Sequence, residues 1–192
     1  MDRDLVATFG SRTSETDLVE RARTGDAEAF EGIVALHFHR VLRIALGILG
    51  DEADARDAVQ DTFLRAWREL PRLREPDRFP AWLSRIAVNA SRTTLSRRRR
   101  VTEIAVIPDG SRAFDVVDPV AAYDDRQADL DVLERAFGRL TADQRAMLVL
   151  HHGERLPLNE IGATLGIEAR TAKSRLFTAR RALEKALAEE LR

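Results

Sequence analysis

Residues 158–183 read LNEIGATLGIEARTAKSRLFTARRAL. Ile161 and Leu165 stand four apart, Gly166 permits a sharp turn, and Ile167 plugs the angle between two helices. Gly162 and Ala172 are small where those helices must approach closely. At 3.6 residues per turn, Ala172, Leu176, Ala179 and Leu183 share one face of the second helix. Arg170, Lys173, Ser174, Phe177 and Arg181 share the opposite face. This is the spacing of a helix-turn-helix, whose second helix enters the major groove of DNA. Arginine and lysine there can reach guanine edges or phosphates, Ser174 a phosphate or base, and Phe177 either a thymine methyl or a neighbouring domain. An ordinary amphipathic helix with a solvated basic face would explain the charge but not the turn spacing upstream.

The charge is local. The chain has 192 residues, 31 basic and 32 acidic. Residues 1–100 hold 18 basic and 16 acidic, residues 101–129 hold 2 and 7, and residues 130–192 hold 11 and 9. Two near-neutral or mildly basic blocks therefore flank an acidic connector. With 44% hydrophobic residues the chain can bury a core. The absence of cysteine excludes disulfides, thiolate metal sites and thiol redox chemistry. No apolar run approaches the length of roughly 18–20 residues that a membrane span needs, and the N-terminal residues lack the pattern of a signal peptide. The expectation is a cytoplasmic protein without membrane insertion.

Apolar residues recur at helical spacing throughout, with no strand alternation. Asp26 caps a helix ended by Gly50, Asp51 caps the next as far as Pro71, and Pro80 opens a third that runs to about Arg97. A shorter helix over 17–23 precedes them. Residues 101–123 lose periodicity and carry Pro, Gly and acids, as a linker does. Helices resume near Asp124. Thr141 and Gln144 form a capping box for a helix through about His152, and 157–165 and 168 onward supply the helix-turn-helix. The predicted fold is all-α: two small helical domains joined by a flexible acidic linker. Residues 1–24 form an N-terminal segment, 25–100 the front domain, 101–126 the linker and 127–192 the rear domain.

In the front block, DARDAVQDTFLRAW (54–67) turns Val59, Phe63 and Ala66 to the core. Asp57, Gln60, Asp61 and Leu64 line another face at three and four spacing. Such a row is either a solvated face or a docking surface for a basic partner. The next helix buries Leu83, Ile86, Ala87, Ala90 and Thr94 and shows Arg85, Asn89, Arg92 and Ser96 on a different side. Phe79 and Trp82 lie nearby, and basic groups beside aromatic rings suit single-stranded nucleic acid. Trp67 is expected in the core.

These blocks, DARDAVQDTFLRAW, FPAWLSRIAVN and then LNEIGATLGIEARTAKSRLFTARRAL, in this order and with this acidic spacer, resemble the extracytoplasmic-function sigma factors of bacterial RNA polymerase. The resemblance covers roughly residues 25–100 and 127–187. It implies a transcription initiation factor that binds core RNA polymerase through its clamp coiled coil and flap and directs it to promoter DNA. It implies that Asp57, Gln60, Asp61 and Leu64 dock on the polymerase. It implies that Arg78, Phe79, Trp82, Arg85, Asn89 and Arg92, with the loop 72–79, take the melted minus-ten element, a flipped base included. Arg170, Lys173, Ser174, Arg175 and Phe177 would read the minus-thirty-five element as duplex. An anti-sigma factor is a further partner that the family commonly has. The sequence departs from the family pattern at Arg56, Ala58, Gly162, Ala172 and Thr178. A looser helix-turn-helix core and one missing DNA contact are the expected consequences.

The alternative is a free-standing helix-turn-helix regulator, against which the docking row and the acidic tether speak. An enzyme would need a constellation that is missing: no Walker loop, dinucleotide fingerprint or nucleophile elbow is present. No catalytic residue, cofactor or metal is assigned. His37 and His39 diverge by about 200° on a helix and cannot share an ion, and the adjacent His151 and His152 diverge by about 100°.

Overall fold

The computed structural model describes residues 14–105 and 123–192. Eight α-helices follow in chain order among them: α1 (Glu15–Arg23), α2 (Ala27–Leu49), α3 (Glu52–Glu69), α4 (Phe79–Ala105), α5 (Tyr123–Gly138), α6 (Ala142–Leu148), α7 (Leu158–Leu165) and α8 (Ala169–Glu190). No strand occurs among the described residues.

Local chemistry starts and stops these helices where expected. Asp26 accepts from Ala29 N–H and Asp51 from Asp54 N–H, each satisfying an orphan amide of a first turn. Gly50, at φ 72°, ends α2 in the left-handed region that L side chains avoid. Thr141 and Gln144 form the reciprocal capping box of α6. Ser14 and Asp17 form a second one, at α1, which the sequence reading had not singled out.

Helices α2, α3 and α4 pack on one another as the front domain, with α1 laid on α2. Ile33, Ile44, Ile48, Leu70 and Leu83 are all nearly inaccessible at its centre. In the rear domain, α5, α6 and α7 each pack on α8 around Met147, Leu150 and Ile161. The two domains also touch: α7 lies against α4, and α6 with the turn after it against α2.

Four expectations change. Helix α4 runs to Ala105 and α5 begins at Tyr123, so helix enters both ends of the expected linker. The remainder of that linker, 106–122, and the start of the N-terminal segment, 1–13, lie outside the described residues. Helix α2 is long and apolar enough, by length and composition, to cross a membrane. Its apolar residues Ile33, Val41, Ile44 and Ile48 are instead buried core positions, on a helix that packs against α1, α3, α4 and α6. Trp67 lies at the surface, against Phe30 at 4.8 Å between ring centroids, rather than in the core. Thr94 is only half-buried, while Val88 and Ser91 on the same helix are buried.

Candidate nucleic-acid interface

The helix-turn-helix is closed by Gly162 and Gly166. Gly166, at φ 69°, caps α7, and its N–H donates to Gly162 O. Ile167 N–H donates to the same carbonyl at 2.9 Å. A Cβ at Gly162 would stand 2.7 Å from Ile167 O, so the missing side chain lets the turn close on itself. The departure at Gly162 therefore tightens this corner rather than loosening it. Ala172, Leu176 and Ala179 are buried beneath it.

On the other side of α8, Arg170, Lys173, Ser174, Arg175 and Phe177 are all exposed. Among the described residues no carboxylate pairs with Arg170, Lys173 or Arg175. Unneutralised cations on a helix surface are what a phosphate backbone requires. Phe177 is 63% exposed, with the Arg181 guanidinium 5.9 Å from its ring centroid. Thr178 turns its hydroxyl back to Ser174 O at 3.1 Å.

On the front domain, α3 carries the row expected to dock on a partner. Asp57, Gln60 and Leu64 are exposed, and Asp61 is half-exposed and accepts from Arg65 at 3.3 Å. Asp54, one turn earlier, is partly desolvated. Burial raises its carboxyl pKa, Asp51 and Asp57 add to the rise, and Arg98 opposes it.

Helix α4 presents Arg85 and Asn89 to solvent. Arg92 is partly covered, its Nη2 2.7 Å from Asp143 Oδ1 of the rear domain. Trp82 is half-buried against Phe79, with centroids 5.7 Å apart. Phe79 is a correction. It is fully buried, held by Trp82 and His37, and offers no face to a base. The loop before it is built of two 3-10 turns, Leu70–Arg72 and Pro76–Arg78. Arg78 pairs with Glu75 at 2.6 Å on its surface. Helix α1 braces this loop: Arg23 donates to Leu73 O and Thr16 to Asp77 Oδ1, each at 3.3 Å. No periodicity in the sequence announces that brace, because its partners lie 50 and 61 residues apart.

The four histidines are spread over separate surroundings. His37 sits 3.2 Å from Glu15, His39 lies edge-on to Phe38, His151 faces Leu156 O and His152 faces Arg180. Among the described residues no three metal-ligating side chains converge.

Two helical modules in this order, a docking-and-strand domain and a helix-turn-helix, define a sigma-type transcription initiation factor. The model of sigma-70 region 2 matches residues 33–101, and that of sigma-70 region 4 matches residues 130–183. The RNA polymerase sigma-H factor of Pseudomonas aeruginosa is 32% identical over 94% of this chain and 98% of its own length. The ECF RNA polymerase sigma factor SigE of Mycolicibacterium smegmatis is 35% identical over 86% of this chain and 65% of its own. Among solved structures, CnrH in complex with the cytosolic domain of CnrY superposes with a TM-score of 0.64 at 29% identity, covering 91% of this chain and 97% of that one. RpoE in complex with the anti-sigma factor NepR from Bartonella quintana gives 0.62 at 26% identity, over 83% and 96%. The chain belongs to the extracytoplasmic-function sigma factor family.

Proposed function

We propose that this chain docks on core RNA polymerase through Asp57, Gln60, Asp61 and Leu64 of α3. It reads duplex promoter DNA with Arg170, Lys173, Ser174, Arg175 and Phe177 of α8. It holds melted DNA against Trp82, Arg85, Asn89 and Arg92, with Arg78 and its loop at the edge. The polymerase performs the chemistry, and this chain, working in the cytoplasm, supplies sequence choice and strand opening without being an enzyme itself. The observation that carries the reading is the set of exposed cations on α8, Arg170, Lys173 and Arg175, which have no carboxylate partner among the described residues and follow a tight turn in a domain separate from the acidic row on α3. Acids at the docking row would meet a basic polymerase surface, and cations on α8 would meet phosphate. Two structural neighbours are bound to other proteins, CnrH to the cytosolic domain of CnrY and RpoE to the anti-sigma factor NepR. A protein inhibitor of this kind is a fitting partner here as well.

The test is a pull-down of purified core RNA polymerase by this protein, followed by run-off transcription from a genomic fragment library. Binding with new, discrete start sites is the expected result. A folded protein that neither binds polymerase nor creates start sites would leave the free-standing regulator as the reading.

A further inference from the structure

Helix α1 lies ahead of residues 33–101, the part of the front domain that the region 2 model matches. Its apolar side packs on that domain. Val19 and Ala22 are buried, and the Leu18 methyl carbons stand 3.4 and 3.5 Å from the Cβ position of Gly32. Thr16 and Arg23 are seven residues, about two turns, apart and so share a different face. That face meets the loop between α3 and α4. Thr16 Oγ1 donates to Asp77 Oδ1 and Arg23 Nη1 donates to Leu73 O, both at 3.3 Å. A third tie starts at Glu15, 3.2 Å from His37 Nε2. The His37 ring lies against Phe79, the residue that follows the loop.

The loop is stiff except at one joint. Pro71 stands in the 3-10 turn Leu70–Arg72 and Pro76 opens the turn Pro76–Arg78, and proline fixes its own φ. Leu70 at the start of the loop and Phe79 after it are fully buried anchors. Residues 73–75 belong to neither turn. Arg23 takes hold at that joint, and Thr16 takes hold of the second turn. Arg72, Arg74 and Arg78 are exposed, and among the described residues no carboxylate pairs with Arg72 or Arg74. The loop thus presents cations to solvent while α1 holds its backbone. Recognition groups must be kept within about 0.5 Å of their productive geometry, and a free joint between two stiff turns does not meet that. We infer that Thr16 and Arg23 are positioning residues for the melted minus-ten strand: they touch no DNA and set the loop 70–78 in the conformation that selects a base. This rests on the assignment of that loop in the proposed function.

Val19 and Ala22, rather than Thr16 and Arg23, are the buried residues of α1, so the ties can be cut without releasing the helix. The test uses the full chain carrying Thr16→Val with Arg23→Ala. Hydrogen exchange of the loop amides is measured first. Run-off transcription by the holoenzyme follows, from a start site of the unaltered chain with its minus-ten element randomised. The variant is expected to exchange faster over residues 73–78, with α2, α3 and α4 and the melting temperature nearly unchanged. Its preference for the best base at a minus-ten position is expected to fall roughly fivefold or more, as for a weakened base contact, with the minus-thirty-five preference intact. Arg23→Lys in place of Arg23→Ala keeps a cationic donor for Leu73 O and should restore both loop protection and base preference. Unchanged loop exchange, or faster exchange with unchanged base preference, overturns the inference and leaves the proposed function standing. So does a uniform loss of transcription with a lowered melting temperature and no rescue by lysine, the pattern of a helix that only stabilises the fold. An unaltered chain that binds polymerase but creates no start sites removes the proposed function, and this inference with it.

Discussion

The Phe79 ring meets the His37 imidazole edge-on, 5.4 Å between centroids, with both side chains buried between α2 and α4. Phe79 is thus the first core residue of α4, where the sequence suggested a surface for bases. Phe79→Ala is expected to cost about 3–5 kcal/mol of stability, as for other buried aromatic rings. Chemical denaturation of the variant checks this. A base-stacking role would instead leave stability intact and lower only promoter opening.

His37 makes the front domain acid-sensitive. Burial lowers its pKa from 6.5, with Arg40 adding to the fall and Glu15 opposing it. The unfolded chain therefore takes up this proton at higher pH than the folded one. The stability that His37 contributes is complete above 6.5 and is lost as pH falls from there toward the lower folded value. Melting temperatures measured across that range should fall with acidification, and less steeply for His37→Gln.

Asp61 sits in the middle of the α3 row and, among the described residues, accepts from Arg65 on its own helix. Asp61→Arg should leave the helical circular dichroism and melting temperature nearly unchanged, since exposed pairs are worth about 0–1 kcal/mol. Its affinity for core polymerase, measured by surface plasmon resonance, should fall on the order of tenfold or more through like-charge repulsion. Undiminished affinity would move the docking surface elsewhere.

Lys173 and Arg175 are the residues of α8 proposed to read duplex DNA. Either residue changed to alanine should cost about 1–3 kcal/mol in holoenzyme binding to promoter duplex if it contacts a base edge. A residue that contacts only phosphate should weaken all sequences alike and reduce the salt slope by about one. Competition between promoter and random duplex at two salt concentrations separates these cases.

Much of this architecture is local and was legible in one dimension. Asp26, Asp51 and Thr141 bind amides three residues away, and Gly50 and Gly166 take backbone angles that few other residues accept. Caps, turns and the 3.6-residue period depend only on neighbours in the chain, so they place the helices and the exposed row on α8 directly. Phe79 and Trp67 were misjudged for a related reason. Periodicity says that a ring lies on a face, but not which helix will cover that face.

The contact between the two domains belongs wholly to the tertiary structure. Arg43 and Glu154 are 111 residues apart, and Arg145 is 97 residues from Ile48. A charge in the sequence reads the same whether it meets water or another charge. Only the approach of the two domains strips the water from Glu154 and gives it Arg40 and Arg43 as partners. The amino-acid sequence determined two sets of helices, the caps and turns that start and stop several of them, and the cationic residues of α8. Tertiary packing decided which side chains stay exposed and which meet across the two domains, because burial and charge pairing over such separations are properties of the folded chain alone.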